Sequence, residues 1–97
     1  MSERETIRLH AIVEGRVQGV NFRVFVIEAA RALDLGGWVR NRWDESVEVV
    51  AEGERQALEK LLAKLQRGPQ AAYVTGVSQE WQVATGEYHD FRIRPTA

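Results

Sequence analysis

Cysteine is absent from this chain of 97 residues, and histidine occurs only twice. The absence of cysteine excludes disulfide bonds, thiolate metal sites and a cysteine nucleophile. His10 and His89 lie in separate segments, which disfavours a histidine metal site and predicts surface positions for both side chains. Neither residue type therefore supplies an evident set of metal ligands.

A large excess of one charge and long apolar runs are also missing. The formal net charge is −1, which argues against bulk attraction to nucleic acid or to an anionic membrane. No apolar run approaches the length that spans a bilayer, and the charged start, Met1 to Thr6, lacks the apolar region of a signal peptide. We expect a soluble cytoplasmic protein without nucleic-acid or membrane partners.

The chain has the length and composition of one domain. Hydrophobic residues make up 44% of it, enough for a core that needs no disulfide or metal. No linker or low-complexity segment interrupts it, and residues 1–5 are a polar tail that we expect to be frayed. The prediction is a single domain over residues 1–97, and a monomer.

Apolar spacing predicts a regular order of strands and helices. Alternation from Thr6 predicts a first strand, and helical spacing from Phe22 to Leu33 predicts a helix that Gly36-Gly37 ends. The remaining predicted elements are strands at residues 38–41 and 47–51 around a turn at 44–46, a break at Gly53, a helix with Leu58, Leu61, Leu62 and Leu65 that ends at Gly68-Pro69, a strand at 73–83, and a short last strand at 91–94.

This order, β-α-β-β-α-β with a possible fifth strand, is typical of the α+β ferredoxin-like, or split βαβ, arrangement. Each helix has one apolar stripe, so both should cover one face of an antiparallel sheet and leave the other face largely open. On that open side, Glu48, Glu52 and Glu54 are expected to form a solvated acidic edge.

The most informative stretch is the glycine-containing loop between the first strand and the first helix, Gly15-Arg16-Val17-Gln18-Gly19-Val20-Asn21-Phe22-Arg23. Its two glycines permit positive φ angles or close backbone approach. Asn21 is predicted to cap the helix, whose positive end favours anions, and Arg23 can hold phosphate oxygens in a bidentate fork. The loop thus favours an anion cradle, best suited to a phosphoryl group. The alternative is an ordinary tight loop with a surface arginine.

Three blocks of sequence together resemble the acylphosphatase family. They are Glu14 to Arg23, the run Gly37-Trp38-Val39-Arg40-Asn41, and Ser46-Val47-Glu48-Val49. The resemblance covers nearly the whole chain, including Gly68-Pro69 and Phe91-Arg92-Ile93. It implies hydrolysis of carboxyl-phosphate mixed anhydrides to a carboxylate and inorganic phosphate, without a metal or other cofactor.

The same resemblance implies roles for individual residues. The backbone of a phosphate-binding loop would hold the phosphoryl group or inorganic phosphate, Arg23 would clamp it, and Asn41 would hold the attacking water. The implied loop residues are Gly15, Arg16, Val17, Gln18, Gly19, Val20, Asn21 and Phe22. An acyl phosphate already has a good leaving group, so positioning and charge neutralisation carry most of the catalysis.

Three positions depart from the usual family pattern. Asn21 stands where glycine or an aromatic residue is frequent, which affects substrate fit. Arg42 replaces a small hydroxyl residue after Asn41, which puts the pose of the Asn41 amide in question. Glu45 replaces a common turn glycine, and this change concerns hairpin stability more than chemistry.

Other functions stay open at this point. A ferredoxin-like sheet can bind RNA through exposed aromatic and basic residues, and Arg8, Arg92 and Arg94 are candidates on the open face. A phosphate sensor could use the same loop without hydrolysis. The resemblance also extends to the front domain of larger maturation proteins, although this sequence has no zinc-finger cysteines.

Overall fold

The computed structural model describes residues 5–97, and all seven elements fall within that range. In chain order they are β1 (Thr6–Arg16), α1 (Phe22–Ala32), β2 (Gly36–Asn41), β3 (Val47–Glu54), α2 (Arg55–Arg67), β4 (Tyr73–Val83) and β5 (Phe91–Ile93). Of the predicted tail, only Glu5 is described. It is exposed and precedes β1, and the rest of the tail lies outside the described residues.

The five strands form one sheet in the order β4-β1-β3-β2-β5. The pairs β1–β3, β1–β4 and β2–β3 are antiparallel, whereas β5 runs parallel to β2. The α+β ferredoxin-like fold is therefore confirmed, and the possible fifth strand is present. Because β5 adds to the outer edge of β2, the sheet is mixed rather than wholly antiparallel.

The core lies between this sheet and the two helices. Alternate residues of β1 and β3 point into it, as period-two alternation requires. The helices contribute their predicted stripes. The fully or largely buried core residues of these four elements are Leu9, Ala11, Val13, Val47, Val49, Ala51, Phe22, Val26, Ala29, Ala30, Leu58, Leu61, Leu62 and Leu65. Within residues 5–97 no helix combines the length and hydropathy needed to cross a membrane.

The end of α1 differs from the prediction. The helix ends at Ala32, and Gly36-Gly37 lies inside β2. Asp34 takes a φ of 58°, and its backbone N–H donates to the carbonyl of Arg31, while Leu35 donates to Ala30. This is a Schellman motif in which aspartate occupies the position that glycine usually takes. The predicted stop at the glycines was wrong because Asp34 already supplies the left-handed residue.

The predicted break at Gly53 was also wrong. β3 continues through Gly53, which pairs with Ile7 of β1, and α2 begins directly after Glu54. The side chain of Leu35 packs over Gly53, since a Cβ there would stand 2.3 Å from a Leu35 methyl carbon. A glycine is therefore used here for close packing and not for a turn.

Glu48 lies on the face of the sheet opposite the helices but is buried, so a solvated acidic edge is the wrong description for it. Its carboxylate accepts a 2.8 Å hydrogen bond from Nε of Arg40 and lies 2.7 Å from Nε2 of His10. Burial raises the pKa of this carboxyl, but the contacts with His10 and Arg40 outweigh it and hold the pKa below its ordinary value.

Glu52 is the second buried carboxylate of this face, whereas Glu54 is exposed as predicted. Glu52 accepts hydrogen bonds from the backbone N–H groups of Thr85 (2.9 Å) and Gly86 (3.0 Å) and from Nε of Arg8 (2.8 Å). Burial raises the pKa of the Glu52 carboxyl, and these donors together more than reverse the effect, so the pKa lies below its ordinary value. Glu52 thus anchors the segment after β4 to the sheet.

Candidate active site

Residues 17–21 connect β1 directly to α1 and form a short loop at one end of the sheet. Val17 is fully buried and fixes the start of the loop in the core. Gly19 and Asn21 both have positive φ angles, 73° and 68°. Two left-handed residues in such a short segment curl the backbone before the helix begins.

Asn21 occupies the N-cap of α1, as predicted, but its side chain makes no capping hydrogen bond. Its carbonyl accepts from the backbone N–H of Phe25 at 3.1 Å, which begins the helical ladder. The prediction of a side-chain cap was wrong: an N-cap side chain accepts from the first N–H groups of the helix when its residue has an extended backbone, and Asn21 is left-handed. The first N–H groups of α1 are consequently not capped by this side chain.

Gly15 lies just before the loop, where the pairing of β1 with β4 changes register. Glu14 is opposite Gly76, whereas Gly15 is opposite Val74, so β4 has one extra residue at this bulge. The φ of Gly15 is 126°, and a Cβ would stand 2.1 Å from the carbonyl oxygen of Tyr73. Only glycine fits this position, and the bulge determines where the chain leaves the sheet.

One pocket of about 290 Å³ brings the loop, the first turn of α1 and the end of β2 together. Asn41, the last residue of β2, and Ile93, the last residue of the adjacent strand β5, complete the lining of the pocket. The full lining is Val17, Gly19, Asn21, Phe22, Arg23, Val24, Asn41 and Ile93. The two residues that the resemblance singles out for chemistry, Arg23 and Asn41, thus share one cavity.

Among the described residues that line this pocket, only Arg23 has a charged side chain. It is half-buried, and among residues 5–97 no carboxylate lies within ion-pair distance of its guanidinium. The first turn of α1 contains no acidic residue, so the positive end of the helix dipole adds to the guanidinium charge. The pocket is therefore electropositive and suited to an anion.

Asn41 is the last residue of β2 and is half-buried. Its backbone is held between neighbours, because it pairs with Val47 of β3 and its carbonyl accepts from the N–H of Ala97 at 3.2 Å. Its carboxamide makes no side-chain hydrogen bond within the described part of the chain. A fixed backbone therefore presents an amide whose donors and acceptor are available to a small molecule.

The turn after Asn41 is closed by its own backbone. Arg42 donates to the carbonyl of Ser46 at 2.9 Å, Glu45 donates to that of Arg42 at 3.0 Å, and Glu45 takes the positive φ, 75°, that was predicted to suit glycine. The Ser46 hydroxyl and the Ser46 backbone N–H both donate to the Asp44 carboxylate. These hydrogen bonds lower the pKa of that carboxyl, and the one from the hydroxyl has the larger effect. The hydrogen bonds that close the turn therefore do not involve the Arg42 side chain.

The structure divides the predicted loop residues into two groups. Val17, Gly19, Asn21 and Phe22 line the pocket. Gly15 and Arg16 are the last residues of β1 and do not line it, and neither do Gln18 and Val20. Two lining residues, Val24 and Ile93, were not predicted. Both are large apolar residues with unusual exposure, 41% and 44%, and only that exposure marks them.

The family model and the curated relatives at 44–49% identity give one family. The family model for acylphosphatase matches residues 9–93. An acylphosphatase of Pelotomaculum thermopropionicum is 49% identical over 86 residues, covering 89% of this chain and 94% of the relative. The crystal structure of acylphosphatase from Bacillus subtilis superposes with a TM-score of 0.88 at 39% identity, covering 91% of this chain and 98% of that one.

A larger protein contains a similar unit. Full-length HypF, solved in a phosphate- and nucleotide-bound form, matches with a TM-score of 0.87 at 25% identity, covering 96% of this chain but 12% of that protein. The relatives that match along almost their whole length are those named acylphosphatase. Together with the family match over most of the sequence, they show that this chain belongs to the acylphosphatase family and is a hydrolase acting on acyl phosphates.

Proposed function

We propose that the pocket between residues 17–21 and Asn41 hydrolyses the carboxyl-phosphate bond of an acyl phosphate, with the phosphoryl group held by the loop backbone and Arg23. The observation that carries this proposal is that an electropositive loop and an amide with no side-chain partner among residues 5–97 line one cavity. We place the phosphoryl oxygens at the start of α1, where backbone N–H groups and the helix dipole favour negative charge.

In this mechanism Arg23 binds two phosphoryl oxygens through its guanidinium. A planar guanidinium can donate two parallel hydrogen bonds, and it stays charged at any physiological pH. Because the transition state spreads charge over the equatorial oxygens, a fixed positive group stabilises it. The lack of a carboxylate partner for Arg23 within residues 5–97 supports this role, since the charge is not already neutralised.

Asn41 orients the attacking water. Its amide can accept one hydrogen from water and donate one to a phosphoryl oxygen, so it aligns both without taking a proton. The water oxygen bonds to phosphorus, the bond from phosphorus to the acyl oxygen breaks, and that electron pair leaves with the carboxylate. Starting from the dianion, both water protons end on the phosphate product, giving a carboxylate and dihydrogen phosphate, and no separate acid is required.

The acyl group of the substrate lies against the apolar part of the pocket in this proposal. Val24 and Ile93 line the cavity beside Arg23 and are among the few large apolar side chains that the described residues expose. A carbonyl substituent that covers them removes apolar surface from water. We therefore expect acyl phosphates with an apolar substituent to bind more tightly than the smallest ones.

An RNA-binding role has less support. Two arginines of the sheet face opposite the helices are engaged, because Arg8 pairs with Glu52 and Arg40 pairs with Glu48, whereas Arg92 is exposed. Trp38 is buried there, with the guanidiniums of Arg40 and Arg94 stacked on it at 4.7 Å. An RNA-binding sheet instead exposes aromatic rings for base stacking. A phosphate sensor is the remaining alternative, and it predicts binding without turnover.

The test is hydrolysis of acetyl phosphate followed by phosphorus NMR in the presence of a chelator. We expect release of inorganic phosphate at the same rate with and without the chelator, because Arg23 and the helix dipole supply the positive charge. Phosphate binding with no product would favour the sensor. Loss of activity in the chelator that added metal restores would overturn the metal-independent mechanism.

A further inference from the structure

Gln18 lies in the middle of the loop but does not line the pocket. Its side chain instead crosses to the turn between β2 and β3. The Nε2 atom donates to the carbonyl of Arg42 at 2.8 Å and to the carbonyl of Ser46 at 2.9 Å, and the residue is partly buried. Both acceptors are carbonyl oxygens, so only the amino group of the amide can face them.

The two carbonyls are the ones that already close the turn. That of Ser46 accepts from the N–H of Arg42, and that of Arg42 accepts from the N–H of Glu45. A carbonyl oxygen has two lone pairs, so Gln18 fills the second acceptor position of each. The amide therefore spans the neck of the turn, and one side chain fixes both of its ends.

The peptide that Gln18 binds is adjacent to Asn41. Arg42 follows Asn41 directly, and Val17 and Gly19, the neighbours of Gln18, line the pocket together with Asn41. We propose that Gln18 is a positioning residue, which sets the distance and orientation between the anion-binding loop and the Asn41 carboxamide. This role rests on the proposed function, since it matters only if phosphate and water are held by those two parts.

The proposal also explains how Asn41 can be oriented although Arg42 follows it. A small hydroxyl residue at position 42 could orient the Asn41 amide through its own side chain. Here the side chain of Arg42 extends toward Asp44, with 3.8 Å between the charged atoms. The Gln18 amide holds the Arg42 main chain, so the pose of Asn41 does not depend on which side chain occupies the next position.

The expected effect is on turnover more than on phosphate binding. Without the amide, the loop and the end of β2 each keep their local structure, but their separation is no longer fixed. A displacement of about 1 Å in a reacting geometry costs on the order of 100-fold in rate. Binding of inorganic phosphate needs only the loop and Arg23, so it should change far less.

The experiment compares Gln18→Met, which keeps the length of the side chain but cannot donate, with Gln18→Glu and the control Gln66→Met on the exposed side of α2. We expect Gln18→Met to lower kcat for acetyl phosphate by about 10-fold to 100-fold, with an inhibition constant for inorganic phosphate within about twofold of wild type. Gln66→Met should match wild type. Circular dichroism verifies that each variant is folded.

The pH profile of Gln18→Glu separates positioning from simple stabilisation. A carboxylate cannot donate to the two carbonyls, whereas the protonated acid donates one hydrogen bond. The ratio of its kcat to that of wild type should therefore rise as the pH falls. A role limited to holding the fold together would alter the melting temperature without producing this recovery.

The outcomes are distinguishable. Unchanged kcat in folded Gln18→Met, or a loss of phosphate binding equal to the loss of turnover, overturns the positioning role while leaving the proposed function in place. Wild-type protein that does not hydrolyse acetyl phosphate overturns the proposed function, and the role of Gln18 with it.

Discussion

Arg23 and Asn41 line one pocket, although Arg23 lies in the first turn of α1 and Asn41 ends β2. The helix packs against β2 and β5, which brings its N-terminal turn to the end of that strand. Neither side chain is held by a carboxylate within residues 5–97. The pair therefore combines a cation with a neutral amide. In the proposed mechanism the cation binds the phosphoryl group and the amide orients the water.

Removing the guanidinium should abolish most activity. We expect Arg23→Ala to lower kcat/KM for acetyl phosphate by about 1,000-fold or more, because the positive charge that stabilises the transferring phosphoryl group is lost. Arg23→Lys should retain more activity but lack the bidentate contact. Steady-state kinetics and phosphate inhibition measure both, with the exposed Arg67→Ala as control. Normal turnover by Arg23→Ala would rule out the clamp.

Asn41→Ala should separate turnover from binding. We expect kcat to fall by about 100-fold to 1,000-fold, because oriented hydrogen bonds in the transition state disappear. Inorganic phosphate should inhibit with a nearly unchanged constant, since the loop and Arg23 are intact. The measurement is kcat together with competitive inhibition by phosphate. Equal losses in both would show that Asn41 binds phosphate and does not orient water.

Val24 and Ile93, the exposed apolar residues of the pocket, should affect kcat/KM more for substrates with a larger apolar acyl group. We expect Val24→Ser to lower kcat/KM for benzoyl phosphate by about fivefold, equivalent to about 1 kcal/mol of lost apolar contact, and to leave acetyl phosphate nearly unchanged. Val83→Ser, at a side chain that is 87% exposed in β4, is the matched control. An equal change with both substrates would contradict an acyl-binding wall at Val24.

Gly15→Ala should destabilise the fold through the backbone. A Cβ would stand 2.1 Å from the Tyr73 carbonyl at a φ of 126°, so we expect the free energy of unfolding to fall by about 3 kcal/mol. Gly76, across the bulge on β4, is the control because a Cβ there meets nothing within 4 Å. Urea denaturation measures both. Similar stability of the two alanine variants would contradict the steric argument.

The buried carboxylate Glu52 should make stability depend on pH. Its folded pKa is lowered, so its contribution is present above the unfolded carboxyl pKa of about 4.3 and is lost as the pH falls through the folded value. We expect Glu52→Gln to lower the free energy of unfolding by about 2 kcal/mol at neutral pH and to weaken the acid dependence. Arg8 is the charged group in direct contact with this carboxylate. Glu87 is nearby and shares Arg8 and Thr85 with it as hydrogen-bond donors.

The control for Glu52 is Glu59→Gln. Glu59 pairs with Arg55 on α2, but both side chains are more than half exposed, so solvent screens the pair. Urea unfolding across acid and neutral pH compares the two variants. An acid dependence that is the same in wild type and Glu52→Gln would show that other carboxyls control it.

The elements were predictable where local spacing decides them. The leucine stripe of α2, its end at Gly68 and the extent of β4 follow from periodicity and from a glycine at a helix end. The end of α1 was mispredicted, because an aspartate does there what glycine usually does and two true glycines follow within β2. Local patterns identify that a turn is near but not which residue takes the left-handed angle.

The type of candidate site, an anion-binding pocket, could be predicted from the sequence, but only some of its lining residues could. Arg23, Asn41 and several loop residues could be named from sequence because the motif is contiguous around each of them. Val24 and Ile93 could not, since their place in the pocket depends on how α1 and β5 meet. The burial of Glu48 and Glu52 likewise depends on partners distant in the chain, such as His10, Arg8 and Thr85.

By itself, the sequence determined the family, the succession of strands and helices, and the residue types offered to an anion, because these depend on short-range pattern and on side-chain chemistry. The single domain over the whole chain, the cytoplasmic location and the monomeric state stay predictions. Only the tertiary structure decided that β5 runs parallel to β2, that two acidic residues are buried, and that Gln18 joins the loop to the turn after Asn41. These features are contacts between residues far apart in the chain, and their geometry exists only once the sheet and helices have packed.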